Sequence, residues 1–492
     1  MVESEDITQI NLFLSARTIS ITPISTYCAA YSGNSKSEYF KSETIEKTTN
    51  PDWSTPMLID FRFSSIQKMI FRVYNVSERN TLVGEVNVTL CQAVLRKEVD
   101  YQISKQSWFT IRAEVVKFPP IKTLFKVSGI ELDRMDAFGL SDPYFKIKKR
   151  SPDGNWVKIY KSEIIKKTLD PAWDPFMLLD PEINIENSSL MLKFECYDWD
   201  WPNTYDFIGE NIITVHDIFT QGFEFCVFKS EKKRLKNENS GRIKFEIFEI
   251  LPFLQYIHSG IELNFTFAVD FSESNANLHS RTGVKSYYEQ GIYGIGKIIE
   301  NYDYDKKVLA FGFGATSKNE STALKRCFTM SGSPENPAVI IDRILDSYNN
   351  TFNLIKSTKE SYLSSILEKI MEMSEVSPPR WTYNIVIIMT NGKISDYNQV
   401  VDILNSACSL PMSVFIIGMG GGNFNDIENL TKCEFMHRDH QGRRIKRNMV
   451  HFSKFGDFSG DYENLVKNMM KQVPNDVEDF VKTFWYDPRQ YT

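Results

Sequence analysis

Residues 194–210 read FECYDWDWPNTYDFIGE, and this stretch decides the fold of its region. An alternating strand pattern over 190–197 leads directly into three acidic residues, Asp198, Asp200 and Asp206. Because another strand pattern follows, we expect the acids on a loop between two strands, at one end of a β-sheet. Carboxylates crowded on one loop repel each other unless a cation joins them, and Ca²⁺ accepts hard oxygen ligands from flexible loops. These residues alone leave two interpretations open, a calcium loop and a solvated acidic turn.

A second acidic loop lies upstream. Residues 133–144 read DRMDAFGLSDPY, and in this loop Asp136 and Asp142 flank the apolar Phe138 and Leu140. Two acidic loops with apolar tips in one β-rich region predict a shared metal site at one end of a β-sandwich.

Both loops resemble the calcium loops of C2 domains. The resemblance is carried by SDPY at 141–144 and by YDWD and DFIGE within 197–210. It implies five calcium ligands: Asp136, Asp142, Asp198, Asp200 and Asp206. We further expect Trp201, with Phe138 or Leu140, to enter a lipid interface, where amphipathic aromatic side chains are favoured. Trp199 is expected to pack between the ligands instead.

Basic residues follow the first acidic loop. Lys146, Lys148 and Arg150 occur at every second position, so we expect them on one face of the sheet. This face could bind phosphoinositide headgroups, with each cation contributing about 1 kcal/mol near an anionic surface. A solvated sheet face is the alternative.

A second basic stretch lies near the end of the chain. Residues 437–448 include Arg443, Arg444, Lys446 and Arg447. Lipid contact, nucleic-acid contact, a nuclear import signal and an ordinary exposed loop all stay open for it.

The first half of the chain contains an internal repeat. KSETIEKTTNPDW at 41–53 corresponds to KSEIIKKTLDPAW at 161–173. The repeat predicts two antiparallel β-sandwich domains of the C2-like type in tandem, at 1–116 and 123–250.

The first repeat carries neutral residues where the second carries its aspartates. In the order of Asp136, Asp142, Asp198, Asp200 and Asp206, the expected counterparts are Ser20, Thr26, Asn75, Ser77 and Thr81. Neutral oxygens compensate the desolvation of a divalent cation less well than carboxylates do. We therefore expect no calcium binding by the first repeat at physiological levels. Its role is open between a spacer, a protein contact, a calcium-independent lipid contact and a purely structural element.

The pattern changes near residue 255. Apolar runs at 261–269, 308–313, 384–389 and 412–418 alternate with helical patterns, which lie at 288–302, 338–349, 360–373, 399–407 and 462–472. Apolar strands separated by helices predict a doubly wound α/β domain over 255–492, whose ligands collect at the carboxyl ends of the strands.

A second candidate metal site follows the first of these strands. Asp270, Ser272 and Ser274 form a D-x-S-x-S motif, which resembles the metal-ion-dependent adhesion site of von Willebrand factor A domains. By that resemblance Thr358 matches the threonine of the site, and Asn391 stands where the family has an aspartate. Mg²⁺, or Mn²⁺, is the expected ion because the ligands are hard oxygens. Loss of one carboxylate leaves both a working and a vestigial site open.

The order of these domains resembles that of copines. Further similarity lies in AFGFGA at 310–315 and LPMSV at 410–414. The resemblance implies a calcium-dependent phospholipid-binding adaptor. Such a protein moves to anionic membranes, the plasma membrane among them, when calcium rises, and recruits protein partners through its A-like domain. The alternative is a constitutive scaffold that uses the Mg²⁺-dependent site, with calcium incidental.

Bulk properties limit the other function classes. A net charge of −6 predicts no general attraction to nucleic acid. Seven scattered cysteines without a C-x-x-C pair favour a reducing compartment, and we expect a cytoplasmic protein because no signal peptide or membrane-spanning run is apparent. No P-loop, H-E-x-x-H or G-x-S-x-G motif occurs, so we expect no enzyme activity, and a phosphotransfer or lipid-modifying enzyme is a remote alternative.

Overall fold

The computed structural model describes most of the chain: residues 7–33, 37–76, 79–119, 121–135, 139–179, 183, 185–202, 204–280, 285–318, 326–333, 336–375, 382–432 and 446–484. Asp136, Phe138 and Ser77, all singled out from the sequence, lie outside these ranges. Residues 120–251 form one compact unit, and residues 1–119 with 252–492 form another. No helix in the described ranges is long and apolar enough to cross a bilayer.

The first repeat is an antiparallel β-sandwich. Its elements are β1 (Ile7–Arg17), β2 (Ile24–Ser32), β3 (Glu38–Lys41), β4 (Ile45–Thr48), β5 (Asp52–Arg62), β6 (Lys68–Asn75), β7 (Thr81–Thr89), α1 (Leu90–Arg96), β8 (Glu98–Gln102) and β9 (Trp108–Val115). One sheet has the order β5–β1–β9–β8, and the other has the order β3–β2–β6–β7 with β4 also paired to β2. Alternate residues of β1, such as Ile10, Leu12 and Leu14, are buried, so one face of the strand enters the core.

The second repeat has the same architecture. Its elements are β10 (Lys122–Ile130), β11 (Pro143–Arg150), β12 (Trp156–Lys161), β13 (Phe176–Met177), β14 (Met191–Asp200), β15 (Thr204–Thr214), α2 (Val215–Ile218), β16 (Glu224–Cys226), α3 (Glu231–Leu235) and β17 (Arg242–Ile250). The sheets have the orders β13–β10–β17–β16 and β12–β11–β14–β15. The Phe145 ring lies 4.8 Å from the rings of both Phe194 and Trp173, so aromatic packing fills the core.

The last region is an α/β domain. Its elements are α4 (Phe253–His258), β18 (Glu262–Asp270), α5 (Ala276–His279), α6 (Tyr287–Ile299), β19 (Lys307–Phe313), β20 (Ala315–Ser317), β21 (Cys327–Thr329), β22 (Ala338–Ile340), α7 (Ile344–Leu354), β23 (Ile355–Ser357), α8 (Leu363–Glu375), β24 (Thr382–Thr390), α9 (Tyr397–Ala407), β25 (Met412–Gly418), α10 (Asn425–Leu430), β26 (Val450–Lys454) and α11 (Tyr462–Phe484). The main sheet has the order β21–β19–β18–β24–β25–β26. Strands β19, β18, β24, β25 and β26 are parallel, and β21 and β22 pair antiparallel with β19.

The predicted fold classes are confirmed, with two differences in the α/β domain. Residues 338–349, expected to be one helix, divide into β22 and α7, because Ala338–Ile340 pair with the edge of β19 instead. Helix α11 continues beyond residue 472 through Pro474, because its buried stripe continues with Val477 and Phe480.

Candidate metal centres

Strand pairing brings the acidic residues of the second repeat to one end of the sandwich. Pro143 of β11 lies opposite Asp198 of β14, so Asp142 comes directly before this pair. Asp198 in turn lies opposite Asp206 of β15, and Asp200 ends β14. The four described aspartates therefore share one end, as the sequence predicts, but Asp198, Asp200 and Asp206 belong to β14 and β15 and not to the loop expected between two strands.

The backbone just before β11 is tied to a carboxylate of β14. The backbone N–H of Asp142 donates to Oδ1 of the fully buried Asp198 at 2.5 Å. Trp199 N donates to the carbonyl of Asp142 at 3.1 Å, and Lys167 N donates to Asp142 Oδ1 at 2.8 Å. These bonds hold Asp142 and Asp198 at a fixed separation.

The donor set fits Ca²⁺ by chemistry, although the described side chains do not converge on a point. Within the ranges given above, no group of three or more His, Cys, Asp or Glu side chains has the spacing of a metal site. Asp136, the predicted fifth ligand, lies outside those ranges. Asp198, however, is a carboxylate without exposure to solvent, a placement that is costly unless positive charge compensates it. All four described candidates supply hard carboxylate oxygens, as Ca²⁺ requires.

The tip beside these acids is apolar and aromatic. Trp201 is 83% exposed and Leu140 is 44% exposed, while Phe138 is outside the described residues. Tyr205, which the sequence reasoning missed, is 58% exposed on the same loop side. Its signal was its place between the acids Asp200 and Asp206. An exposed aromatic pair is the type of surface that membrane interfaces favour.

Lys146, Lys148 and Arg150 lie along β11 as predicted, but their environments differ. Lys146 Nζ lies 4.4 Å from the centroid of the Tyr197 ring, and burial together with nearby lysines lowers its pKa, which Glu195 opposes. Lys148 Nζ forms an ion pair with the buried Glu195 at 2.7 Å. Arg150 is exposed and lies over Trp156.

Further cations enlarge this face, which we call the β11 basic face. It consists of Lys146, Lys148, Arg150, Lys158 and Lys161. Lys158 and Lys161 of β12 lie opposite Lys148 and Lys146, respectively. Because Lys148 is already paired with Glu195, the charge of the face is lower than its sequence suggests.

Strand register corrects one expected equivalence between the two repeats. The indole N–H of Trp53 donates to the carbonyl of Thr26, and that of Trp173 donates to the carbonyl of Pro143, each at 3.3 Å. Thr26 therefore corresponds to Pro143 and not to Asp142.

Ser25 is the counterpart of Asp142. Lys47 N donates to Ser25 Oγ at 3.3 Å, just as Lys167 N donates to Asp142 Oδ1 at 2.8 Å. A hydroxyl thus replaces the carboxylate in an otherwise identical contact, and this residue of the first repeat lacks the charge that calcium binding needs.

The preceding loop is also shorter in the first repeat. Ile19 and Leu132 are equivalent, because their N–H groups donate to the carbonyls of Thr49 and Leu169 at 3.1 and 2.9 Å. The loop spans 19–25 in the first repeat but 132–142 in the second. The expected equivalence of Ser20 with Asp136 stays a prediction, because Asp136 lies outside the described residues.

In the α/β domain, adjacent parallel strands bring the candidate residues to one edge of the sheet. Val269 of β18 pairs with Met389 of β24, so Asp270 and Asn391 leave neighbouring strand ends. Gly314, just after β19, has φ +72°, and a Cβ there would lie 2.7 Å from Asp270 Oδ1. Only glycine allows this backbone conformation and this close approach together.

Asp270 is buried and held by three hydrogen bonds. Its Oδ1 accepts from Ser272 N at 3.0 Å. Its Oδ2 accepts from Thr390 Oγ1 at 2.7 Å and from Ser361 Oγ at 2.9 Å. Burial raises the pKa of Asp270, and these hydrogen bonds oppose the rise.

Sequence reasoning did not identify Thr390 and Ser361. Thr390 directly precedes Asn391, so its position beside the motif was a usable signal. Ser361 has no local pattern and reaches Asp270 only through the fold.

Three of the other predicted residues, Ser272, Ser274 and Asn391, lie in contact with one another, whereas Thr358 contacts the neighbouring Glu273. Ser272 Oγ lies 3.0 Å from Ser274 Oγ. Asn391 Nδ2 donates to the Ser274 carbonyl at 2.8 Å, and Ser274 Oγ donates to Asn391 Oδ1 at 3.4 Å. The Thr358 carbonyl accepts from Glu273 N at 2.9 Å, whereas the Thr358 hydroxyl donates to the Glu360 carbonyl.

The residues of this cluster fit a hard divalent cation, but they carry less negative charge than an intact aspartate set. Asp270 supplies a buried carboxylate, Ser272 and Ser274 supply hydroxyl oxygens, and Asn391 supplies an amide oxygen. Mg²⁺ takes such oxygen ligands and retains waters. One carboxylate instead of two predicts weaker binding than an intact aspartate set gives.

Arg447 corrects the interpretation of the second basic stretch. Its guanidinium is buried and donates to the carbonyls of Cys408, Leu410 and Met412 at 2.9, 2.7 and 2.6 Å. It therefore serves the interior of the domain, and it is not available to lipid or nucleic acid. Arg443 and Arg444 lie outside the described residues.

Comparisons with known proteins extend over nearly the whole chain. The C2 domain family model matches residues 12–111 and 123–239, and the Copine family model matches residues 277–489. Copine-B of Dictyostelium discoideum is 28% identical over 487 residues, covering 92% of this chain and 90% of its own. Copine-D of that organism is 29% identical over 482 residues, covering 92% and 89%. Copine-C is 26% identical over 476 residues, covering 91% and 88%.

Proposed function

The chain belongs to the copine family, and from this membership we propose that it is a calcium-dependent phospholipid-binding adaptor rather than an enzyme. We assign its domains to 1–116, 123–250 and 255–492. The calcium response is assigned to the second C2 domain alone, because Ser25, Asn75 and Thr81 bring no carboxylates to the first.

One observation carries this proposal. Asp142, just before β11, and Asp198 of β14 are joined by a 2.5 Å hydrogen bond at the end of the sandwich that also exposes Trp201. Acidic ligands and an apolar tip at one end are the two parts that a calcium-dependent membrane contact requires.

The calcium-binding residues would be Asp136, Asp142, Asp198, Asp200 and Asp206. Without a cation their carboxylates repel an anionic bilayer. Bound Ca²⁺ would supply compensating positive charge and coordination positions for lipid oxygens. The chain itself fixes Asp198 through the Asp142 N–H and presents Trp201 and Tyr205 for burial among lipid headgroups.

The β11 basic face supplies a second contact with anionic headgroups, which adds to the calcium-dependent contact and does not replace it. Lys146 and Lys161 lie opposite each other, with Nζ atoms 5.6 and 4.6 Å from the centroid of the same Tyr144 ring. This arrangement orders two ammonium groups before a headgroup arrives, which lowers the entropic cost of binding it. When the acidic end and the β11 basic face engage one membrane together, calcium binding and lipid binding raise each other's affinity.

Partner recruitment is assigned to the A-like domain, through the cluster of Asp270, Ser272, Ser274, Thr358 and Asn391. These residues would hold Mg²⁺, or Mn²⁺, and a carboxylate of an unidentified protein partner could complete its coordination. The alternative, a constitutive scaffold with calcium incidental, is less favoured because the C2 family model matches both sandwich regions. We expect a cytoplasmic protein that moves to the plasma membrane or other cellular membranes.

The test is co-sedimentation of the full chain with phosphatidylserine liposomes across a calcium titration. The test variant combines Asp198→Asn and Asp200→Asn. Asparagine suits this site, because Asn75 holds the equivalent buried position in the first repeat. Asp153→Asn, an exposed acid in the turn after β11, controls for a general change in surface charge.

We expect the wild type and Asp153→Asn to sediment only with calcium, and the double variant to stay in solution. Equal sedimentation of all three proteins would refute calcium control and favour the constitutive scaffold. Failure of all three to sediment would refute membrane binding itself.

A further inference from the structure

The end of the first C2 domain opposite its calcium-type loops forms a distinct surface. It consists of Phe63, which begins the turn from β5 to β6, helix α1 and Lys97, and we call it the base surface. The loop at 19–25 and Asn75 at the end of β6 lie at the other end of the sandwich. The base surface and the A-like domain belong to the same compact unit.

Aromatic side chains form the centre of the contact. The nearly buried Phe63 ring lies 4.6 Å from the Phe253 ring and 5.2 Å from the Tyr302 ring, both edge to face. The Tyr302 hydroxyl donates to the Phe63 carbonyl at 2.8 Å. The rings of Phe253, at the start of α4, and of Tyr302, after α6, thus pack against one residue of the first C2 domain, which is a favourable form of aromatic burial.

A cation on the base surface satisfies backbone groups of the A-like domain. Arg96 Nη2 donates to the carbonyls of Asp303 and Tyr304 at 3.2 and 2.9 Å. Its guanidinium also lies 5.2 Å from the centroid of the Tyr304 ring. A planar guanidinium makes such combined hydrogen-bonded and stacked contacts better than other side chains.

Two reciprocal hydrogen bonds join α1 to α4. His258 Nε2 lies 2.8 Å from the carbonyl of Val94, and Lys97 Nζ donates to the carbonyl of His258 at 2.6 Å. Burial lowers the pKa of His258, so the neutral ring donates its Nε2 proton to the end of α1. The carbonyl of His258, the last residue of α4, thereby gains a partner, and the carbonyl of Val94 gains one besides the N–H of Lys97.

The second repeat lacks these residues. Leu90 and Val215 are equivalent. The Leu90 N–H donates to the carbonyl of Gln67, just before β6, and the Val215 N–H donates to the carbonyl of Leu190, just before β14, both at 2.9 Å. Helix α1 continues to Arg96, whereas α2 already ends at Ile218, so no residue of α2 takes the place of Arg96. The base surface is therefore a feature of the first repeat and not of the fold.

We propose that the first C2 domain serves as the structural partner of the A-like domain, and that the base surface makes the two fold as one cooperative unit. The function of the first C2 domain lies at the base surface, which contacts α4 and the segment after α6, and not at the loops without carboxylates. This role explains why the domain is retained without a calcium site.

Hydrogen exchange of amides in the full chain tests the proposal. Phe63→Ala removes the central ring, and Arg96→Gln removes the guanidinium that donates to the carbonyls of Asp303 and Tyr304. Leu58→Ala, at an exposed position of β5, is the control. If the unit is cooperative, amides of α4 and α6 exchange at least about tenfold faster in Phe63→Ala, and faster to a smaller extent in Arg96→Gln, with no change in Leu58→Ala.

The pattern across the two domains decides the outcome. Unchanged exchange in α4 and α6 in both test variants would overturn the proposal, whether or not the first sandwich loosens. If Phe63→Ala increases exchange throughout both domains, the result for Arg96→Gln decides whether the base surface couples them. The guanidinium of Arg96 donates to the A-like domain rather than to its own sandwich, so its removal acts on the contact itself. Faster exchange of α4 and α6 in Arg96→Gln supports the proposal, and its absence refutes it.

Discussion

Asp303 gives a quantitative prediction about the contact between the first C2 domain and the A-like domain. Only 3% of the residue is exposed, and among the described residues its Oδ2 is buried without a hydrogen-bond partner. Burial raises the pKa of Asp303 to about 7. The negative charge of Asp305 adds to the rise, whereas backbone hydrogen bonds from Asp305 and Tyr304 and the charge of Arg96 oppose it. We predict that Asp303→Asn stabilises this part of the protein above neutral pH.

The sign follows from proton binding. An aspartate in the unfolded chain releases its proton at a pH of about 3.9, whereas Asp303 in the folded protein keeps it up to a pH of about 7. The wild type therefore loses stability as pH rises between these values, and the asparagine variant does not. At about 1.4 kcal/mol for each pKa unit, the full difference is about 4 kcal/mol. The protein interior relaxes around a buried charge and lowers its cost, so we expect about 2 kcal/mol.

The assay is hydrogen exchange of the α6 amides at pH 5, 6, 7 and 8, corrected for the intrinsic pH dependence of exchange. We expect the free energy of opening to be higher in Asp303→Asn than in the wild type, with a difference that grows from pH 5 and levels off above about pH 7. Asp346→Asn, an exposed acid on α7, should show no such trend. A difference that stays constant with pH, or that shrinks as pH rises, would refute the reasoning.

Three further predictions concern individual side chains. Trp201→Ala should weaken calcium-dependent liposome binding by about tenfold, because an exposed indole is lost from the membrane contact. The control Leu235→Ala, at an equally exposed position on α3, should bind as the wild type does, and equal affinities of Trp201→Ala and the wild type in co-sedimentation would exclude insertion of Trp201. Arg447→Leu should lower the free energy of unfolding of the A-like domain by about 3 kcal/mol, because buried carbonyls lose their donor. Urea unfolding measures this, with Lys446→Leu at an exposed position as the control, and the same midpoint in both variants would contradict the prediction. Asn391→Asp should raise Mg²⁺ affinity by about tenfold or more in titration calorimetry, since a second carboxylate joins Asp270; no gain would remove Asn391 from the site.

The sequence predicted the features that depend on local chemistry. The clustered aspartates, the tandem repeat and the D-x-S-x-S motif are all local patterns, and they led to the domain order and to most of the candidate residues. Equivalences across loops were less accessible, because counting along a loop hides a difference in length. The equivalence of Asp142 and Ser25 can be recognised only in the structure, where the indole contacts of Trp53 and Trp173 define which residues of the two repeats correspond.

Long-range polar contacts were also inaccessible to sequence reasoning. Ser361 reaches Asp270 from a distant part of the chain, and no pattern around it indicates this. Arg447 stands in a run of basic residues, which is typical of an exposed loop, yet carbonyls at the start of β25 and the end of α9 require a buried donor. In both cases the partner, and not the neighbouring sequence, determines the environment.

The short loop at 19–25 limits how the first C2 domain could be redesigned or could evolve. Point substitutions of Ser25, Asn75 and Thr81 to aspartate would place three acids at one end of the sandwich, at the positions of Asp142, Asp198 and Asp206. They would not restore the extra length that the second domain has at 132–142. Recovery of a full ligand set therefore requires an insertion together with the substitutions, a combination that single-base changes do not reach. The loss of this site is for that reason far harder to reverse than the loss of charge alone suggests.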